Sequence, residues 1–277
     1  MLQQLIQMFT SAFVFPNITL TGLALGIGLS IAFGAVWLIA YRPPVFKRPW
    51  LLAVAVSSAV LTWAACSFVQ APLQSWTNLA LVHFLGLDTV IGWLLVTSIP
   101  SVLLSGIVQE GAKLLPVVVW WLRKNTTMTA KTGLIIGAIS GAGFGVFEAV
   151  WALNTFVFIP GWSWGMVESQ GFVALAPFFE RFFAIAFHTA SCALAGYGLA
   201  KGWGWQFYLV ASLLHGLVNY SVVLFQTHVI TTVQMEMWIT LIAVALTAVV
   251  MWFRWRKPTQ QTTKASELLS TRIHIGV

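Results

Sequence analysis

The sequence predicts an all-α fold, a polytopic bundle of about seven membrane-spanning helices with its N-terminus outside and its C-terminus in the cytosol. Three observations predict it. Hydrophobic residues make up 59% of the chain and charged residues only 8%, against roughly 25% charged in a soluble domain, so no water-facing surface can be built. Apolar runs of about 20 residues, the length that crosses a hydrocarbon core, recur along the chain. Basic residues gather at every second connection between those runs, as topology signals do.

Residues 1–15 carry no basic residue and no small-residue cleavage site, so they do not read as a cleaved signal peptide. The first span is expected at 17–40 and the second at 51–69, with Arg42, Lys47 and Arg48 between them. Residues 71–88 leave room for a re-entrant piece. The third run, 89–122, exceeds a straight crossing, and Pro100 is the natural place for a kink because proline lacks a backbone donor. The fourth, 132–158, holds Gly137, Gly141 and Gly145, a ladder that lets helix backbones approach closely and that leads to Glu148. Further spans fall at 173–200, 207–225 and 235–255. Residues 1–257 thus form one transmembrane domain, with its distinctive motifs within 100–225, and 258–277 form a short, polar, flexible tail.

Assigning the connections alternately to two sides puts Arg42 to Arg48, Arg123, Lys124, Lys131, Lys201 and the cations from Arg254 to Arg272 on one side. The other side receives none, since Lys113 and Arg181 lie within spans. By the positive-inside rule the charged side is cytosolic. The net charge of +7 is therefore a topology signal, and the expected surroundings are a lipid bilayer rather than nucleic acid. Cys66 and Cys192 both lie in apolar runs, which excludes a disulfide framework or a CxxC site.

Ionisable groups inside a bilayer are costly and mark functional candidates. Measured from the cytosolic charge line at about 1.5 Å per residue, Glu110, His188 and His215 lie roughly 20 Å up and Glu148 roughly 25 Å up. Four helices thus bring an acid or an imidazole to nearly one level. Lys113 follows Glu110 by one turn, and Asn219 shares a helical face with His215, where it can orient the ring or polarise a carbonyl. The same residues also fit a purely structural pattern, with Glu110 paired to Lys113 and the histidines bonding neighbouring helices. Cys192, four after His188, reads as a packing residue. Glu180 and Arg181, near the outer end of the fifth span, read as an interfacial ion pair, and His83, His228 and His274 as solvated bystanders.

Gln109-Glu110-Gly111-Ala112-Lys113, then Phe144-x-x-x-Glu148, then His188, then His215-x-x-x-Asn219 resembles the PrsW-type, YhfC-type and CAAX-processing superfamily of intramembrane proteases. The resemblance covers roughly residues 100 to 225. Where these proteases commonly carry two adjacent glutamates, this chain has Gln109 before Glu110. The glycine ladder, the helix-borne histidines and the orientation are also similar to the anterior-pharynx-defective subunit of gamma-secretase, a scaffold of the same superfamily. The first resemblance implies hydrolysis of a membrane-anchored protein or peptide in a bacterial or archaeal inner membrane. The second implies a non-catalytic scaffold.

Peptide hydrolysis here needs water, a base and an oxyanion partner. In a metal-free version Glu110 is the base, Lys113 balances its charge, His215 and Asn219 support the oxyanion, and Glu148 with His188 orients water or substrate. In a zinc version His188, His215 and Glu148 are the ligands and Glu110 takes the proton, although HExxH is absent. A proton-coupled transporter would use the same carboxylates as a relay, but the chain shows no inverted repeat or paired broken helices.

Overall fold

The computed structural model describes residues 2–124 and 128–256. Among the described residues there is no strand, and seven helical stretches are long and apolar enough to cross a membrane. The tail expected at 258–277, with His274, lies outside the described residues. A short helix, α1 (Leu2–Thr10), precedes the first span, α2 (Leu20–Tyr41). Thr19 caps α2 by accepting the Gly22 N–H, one of the donors a helix start leaves unpaired.

The second span departs from expectation. Helix α3 (Trp50–Ala65) continues through a π turn (Cys66–Gln70) into α4 (Ala71–Leu85), so it does not end near 69, and helix occupies the place of a re-entrant piece. Pro72 is the second residue after the π turn, where the regular hydrogen-bond ladder is already interrupted. Gln70, Gln74 and Asn78, whose polarity gives the segment its loop-like composition, recur along one face. There Gln74 donates to the Ser101 carbonyl at 2.7 Å, Ser101 donates to Asn78 at 2.8 Å, and Gln70 accepts from Gln109 at 3.1 Å. His83, read from the sequence as a solvated bystander, is exposed in the last turn of α4.

After α5 (Leu87–Gly92), the third run divides at Ser98 into α6 (Leu94–Thr97) and α7 (Ile99–Lys124). Pro100 thereby falls in the first turn of α7, where a missing N–H costs no helical bond. The fourth span is α8 (Ala130–Leu153) with a π turn (Asn154–Phe158). The fifth comprises α9 (Trp164–Gln170), a 3-10 turn (Gly171–Leu175) and α10 (Ala176–Ala200). Gly171, at φ +70°, makes the break between the first two pieces, in a conformation that disfavours side chains. Helices α11 (Gly204–Gln226) and α12 (Thr232–Trp255) complete the bundle, α12 opening with a Thr231/Gln234 capping box.

The antiparallel pair α8 and α10 forms the centre, with α2 and α3 against α8, α11 and α12 against α10, and α7 between α3 and α11. The glycine ladder makes the central contact. A Cβ on Gly133, Gly137 or Gly141 would stand 2.3, 2.2 or 2.0 Å from the carbonyl oxygen of Gly196, Cys192 or His188 respectively. At one end of the bundle the basic residues meet: Arg254 donates to the Tyr41 carbonyl, Arg256 to the Tyr197 hydroxyl, and Arg42 lies over the Trp255 ring.

Candidate active site

Two close helix crossings assemble the polar level. Gly141 and Gly145 let α8 lie against the backbone of α10 around His188, which brings Glu148 to that histidine. Gly106 does the same for α7 and α11, since a Cβ there would stand 2.2 Å from the Ser212 carbonyl oxygen, and Glu110 thereby reaches His215. The ladder in α8 is evident in the sequence. Gly106 has no such repeat to mark it.

The four residues expected at one depth are joined in one chain of contacts. Arg181 donates to Glu148 Oε2 at 3.3 Å, and the same oxygen lies 3.0 Å from His188 Nε2. On the other side of that ring, Nδ1 is 2.9 Å from Lys113 Nζ, which is 2.5 Å from Glu110 Oε1. His215 Nδ1 is 2.7 Å from the same glutamate oxygen, and Ser191 donates to both Glu110 oxygens at 3.1 Å. An ammonium can only donate, so His188 Nδ1 accepts, and its Nε2–H is left to donate to Glu148.

Glu110, Lys113, His188 and His215 are all buried. Phe144 stacks edge-on to His188 at 5.1 Å and Phe187 edge-on to His215 at 5.5 Å, walling the imidazoles with apolar rings. Beside them is a small cavity of about 70 Å³, lined in part by Glu148, Arg181, His188, His215 and Asn219. At about 30 Å³ per water it holds roughly two.

Across these helices runs the sequence profile of the PrsW family intramembrane metalloproteases, which matches residues 47–251. The chain belongs to that family. The match extends beyond the 100–225 region of the motif resemblance and takes in the second and seventh spans. No curated protein and no solved structure matches the chain.

A metalloprotease needs a donor set, and the donors of this PrsW family member can be tested against that need. Ligand atoms of Glu110, His188 and His215, from three different helices, all lie within 4.8 Å of one another. Two imidazoles and one carboxylate match a catalytic metal site in kind and number, so the residues fit. This set differs from the expected His188, His215 and Glu148. Glu148 meets His188 at Nε2, whereas Glu110, bonded to His215, is linked to His188 Nδ1 through Lys113.

Asn219 lines the cavity with His215, but its amide donates to Ser105 at 2.7 Å rather than to the histidine. Gln109 turns away from the donors to Gln70. Cys192 is buried with its thiol 3.6 Å from the Lys113 carbonyl, in keeping with packing. Arg181 makes the expected ion pair with Glu180. It is largely buried and bridges Glu180 and Glu148. Sequence reasoning also missed Ser191, which nothing but the fold marks out, and Glu236, an acid inside the seventh span that the bilayer criterion alone would find.

Proposed function

We propose that the chain hydrolyses a peptide bond of a membrane-anchored substrate, using a divalent metal ion held by Glu110, His188 and His215. One observation supports this most directly: a buried glutamate and two buried histidines from separate helices converge beside a water-sized cavity. Zinc suits such donors, which leave a coordination position open. When bound, the metal polarises the scissile carbonyl and lowers the pKa of water.

The remaining work falls to the chain's own side chains. Arg181 holds Glu148 Oε2, and that oxygen, by accepting from His188 Nε2–H, fixes the ring with Nδ1 toward Lys113, whose ammonium would have to release that nitrogen for a metal to take it. The other Glu148 oxygen has no protein hydrogen-bond partner among the described residues, and Glu148 borders the cavity, so it can take a proton from water there. Asn219 commits one amide hydrogen to Ser105 and has a second for the developing oxyanion. Ser191 and Lys113 hold Glu110 in place.

A second reading is favoured by one contact. Lys113 Nζ touches both Glu110 and His188, so a cation of the chain itself compensates the glutamate, as the metal-free version with Glu110 as base requires. Metal analysis of purified protein separates the two readings. Stoichiometric zinc that is lost in His188→Ala supports the metal version, and full cleavage activity in zinc-free protein overturns it. A scaffold or a proton-coupled transporter predicts no cleavage of membrane-anchored peptides by the wild type. The orientation belongs to the same proposal and rests on the one-sided cations. It implies that residues 1–257 act as one domain in a bacterial or archaeal inner membrane, the C-terminus facing the cytosol.

A further inference from the structure

We propose that the groove between α12 and the first turns of α10 is the docking site for the membrane-embedded peptide segment of the substrate, with Glu236 receiving its freed backbone N–H groups. This inference rests on the peptidase reading above and concerns where its substrate binds. The groove has a volume of about 910 Å³ and is lined by Phe172, Phe179, Met237, Trp238 and Leu241, among others. That is at the upper end of the range of roughly 300–1,000 Å³ typical of ligand sites. Apolar hollows are ordinary on a lipid-facing surface, so two further observations carry the argument.

The first is Glu236, which lines the groove. It is only 7% exposed, and neither carboxylate oxygen has a hydrogen-bond partner among the described residues: Oε2 is closed off from the surface, which leaves Oε1 as the acceptor toward the groove. An unpaired carboxylate oxygen in an apolar setting is costly, and acyl chains offer no donor to relieve it. A peptide does. A membrane helix satisfies its own N–H groups except in its first turn and wherever it unwinds, and a peptide bond must leave the helix to be attacked. The groove therefore offers an acceptor for the donors that unwinding releases.

The second observation is continuity with the reacting site. Helix α10 gives Phe179 to the groove and its neighbours Glu180 and Arg181 to the catalytic cavity. Helix α12 gives Glu236 to the groove and Ile239 to the cavity, about 4.5 Å further along the helix axis. A segment lying in the groove thus runs along the same two helices that wall the cavity of Glu148, His188 and His215. A comparison is built into the molecule: a second groove of about 700 Å³, lined by Ile31, Val56 and Phe147 among others, also adjoins a cavity residue, Glu148, in the chain but has no ionisable lining residue, so the carboxylate of Glu236 is what sets the first groove apart.

The test uses the full chain in proteoliposomes with a membrane-anchored reporter peptide. A photo-crosslinking residue at Met237 or Leu241 is expected to capture the peptide, and one at Ile31 or Val56 is not. In cleavage assays Met237→Trp, which fills the groove, and Glu236→Gln are each expected to raise KM about tenfold with kcat within about threefold, while Val56→Trp changes neither. Equal capture at both grooves, capture of lipid alone at α12, or an unchanged KM in both groove variants overturns the proposal and leaves the peptidase reading intact. If the wild type cleaves nothing, the peptidase reading fails, and the crosslinking pattern still decides whether the groove binds peptide.

Discussion

Replacing Gly141 by alanine tests whether helix spacing sets the site. An alanine Cβ at that position would lie 2.0 Å from the His188 carbonyl oxygen and 2.7 Å from its carbon. Non-bonded carbon and oxygen atoms do not approach closer than about 3 Å, so α8 and α10 must part by about 1 Å locally. The displaced residue is His188 itself. Its 3.0 Å bond to Glu148 would stretch to about 4 Å, past hydrogen-bonding range. Overpacking of this kind costs about 1–3 kcal/mol of stability, and a 1 Å displacement of a reacting group costs on the order of 100-fold in rate. The control is Gly143→Ala, whose Cβ would meet the Ala55 carbonyl oxygen of α3 at 2.3 Å, a comparable clash on the face away from α10. The assay is kcat per folded molecule on a membrane-anchored reporter, with thermal unfolding followed by tryptophan fluorescence. Both variants should lose stability, and only Gly141→Ala should lose roughly 100-fold in kcat. If Gly141→Ala stays within about threefold of wild type, or if Gly143→Ala falls equally far, the packing argument is wrong.

The remaining predictions concern the buried charges and one cap. Glu110→Gln leaves Lys113 buried without its counter-charge and should cost about 3–5 kcal/mol in a denaturation measurement, while Glu110→Gln combined with Lys113→Met should recover most of that stability but no cleavage. Gln109→Glu should leave metal content unchanged, because this side chain faces Gln70 and not the histidines; a second bound metal equivalent by elemental analysis would contradict it. Arg181→Gln should lower kcat while metal stays bound, since Arg181 meets the donor set only through Glu148. Thr231→Ala removes the capping box of α12 and should lower stability by about 1 kcal/mol with kcat unaltered.

The motif residues were visible in the sequence because a bilayer makes each ionisable side chain conspicuous. Depth counted from the charge line correctly grouped Glu110, Glu148, His188 and His215, since a helix advances by a constant rise. Depth carries no azimuth, however, and so could not tell which carboxylate faces which imidazole nitrogen. That is why Glu148 and Glu110 exchange places between the expected ligand set and the convergent one. The Glu180–Arg181 pair read from the sequence is present, but a position near a span's end gives no sign that the guanidinium also reaches inward to Glu148. The segment after residue 69 was misjudged because its amides resemble loop residues until a partner helix pairs them.

Composition, the lengths of the apolar runs and the one-sided cations are properties of the chain taken in order, and they sufficed for an all-helical bundle with seven membrane-spanning stretches. Hydrophobic burial in a bilayer depends on run length, which a sequence states directly. Which atoms meet depends on how helices rotate and approach. Those choices are made by contacts between distant residues: Gly141 against the His188 backbone, and Gly106 against Ser212. Only the folded bundle decided that Glu110, His188 and His215 stand together, that Glu148 meets one of them, and that Glu236 lines an apolar groove.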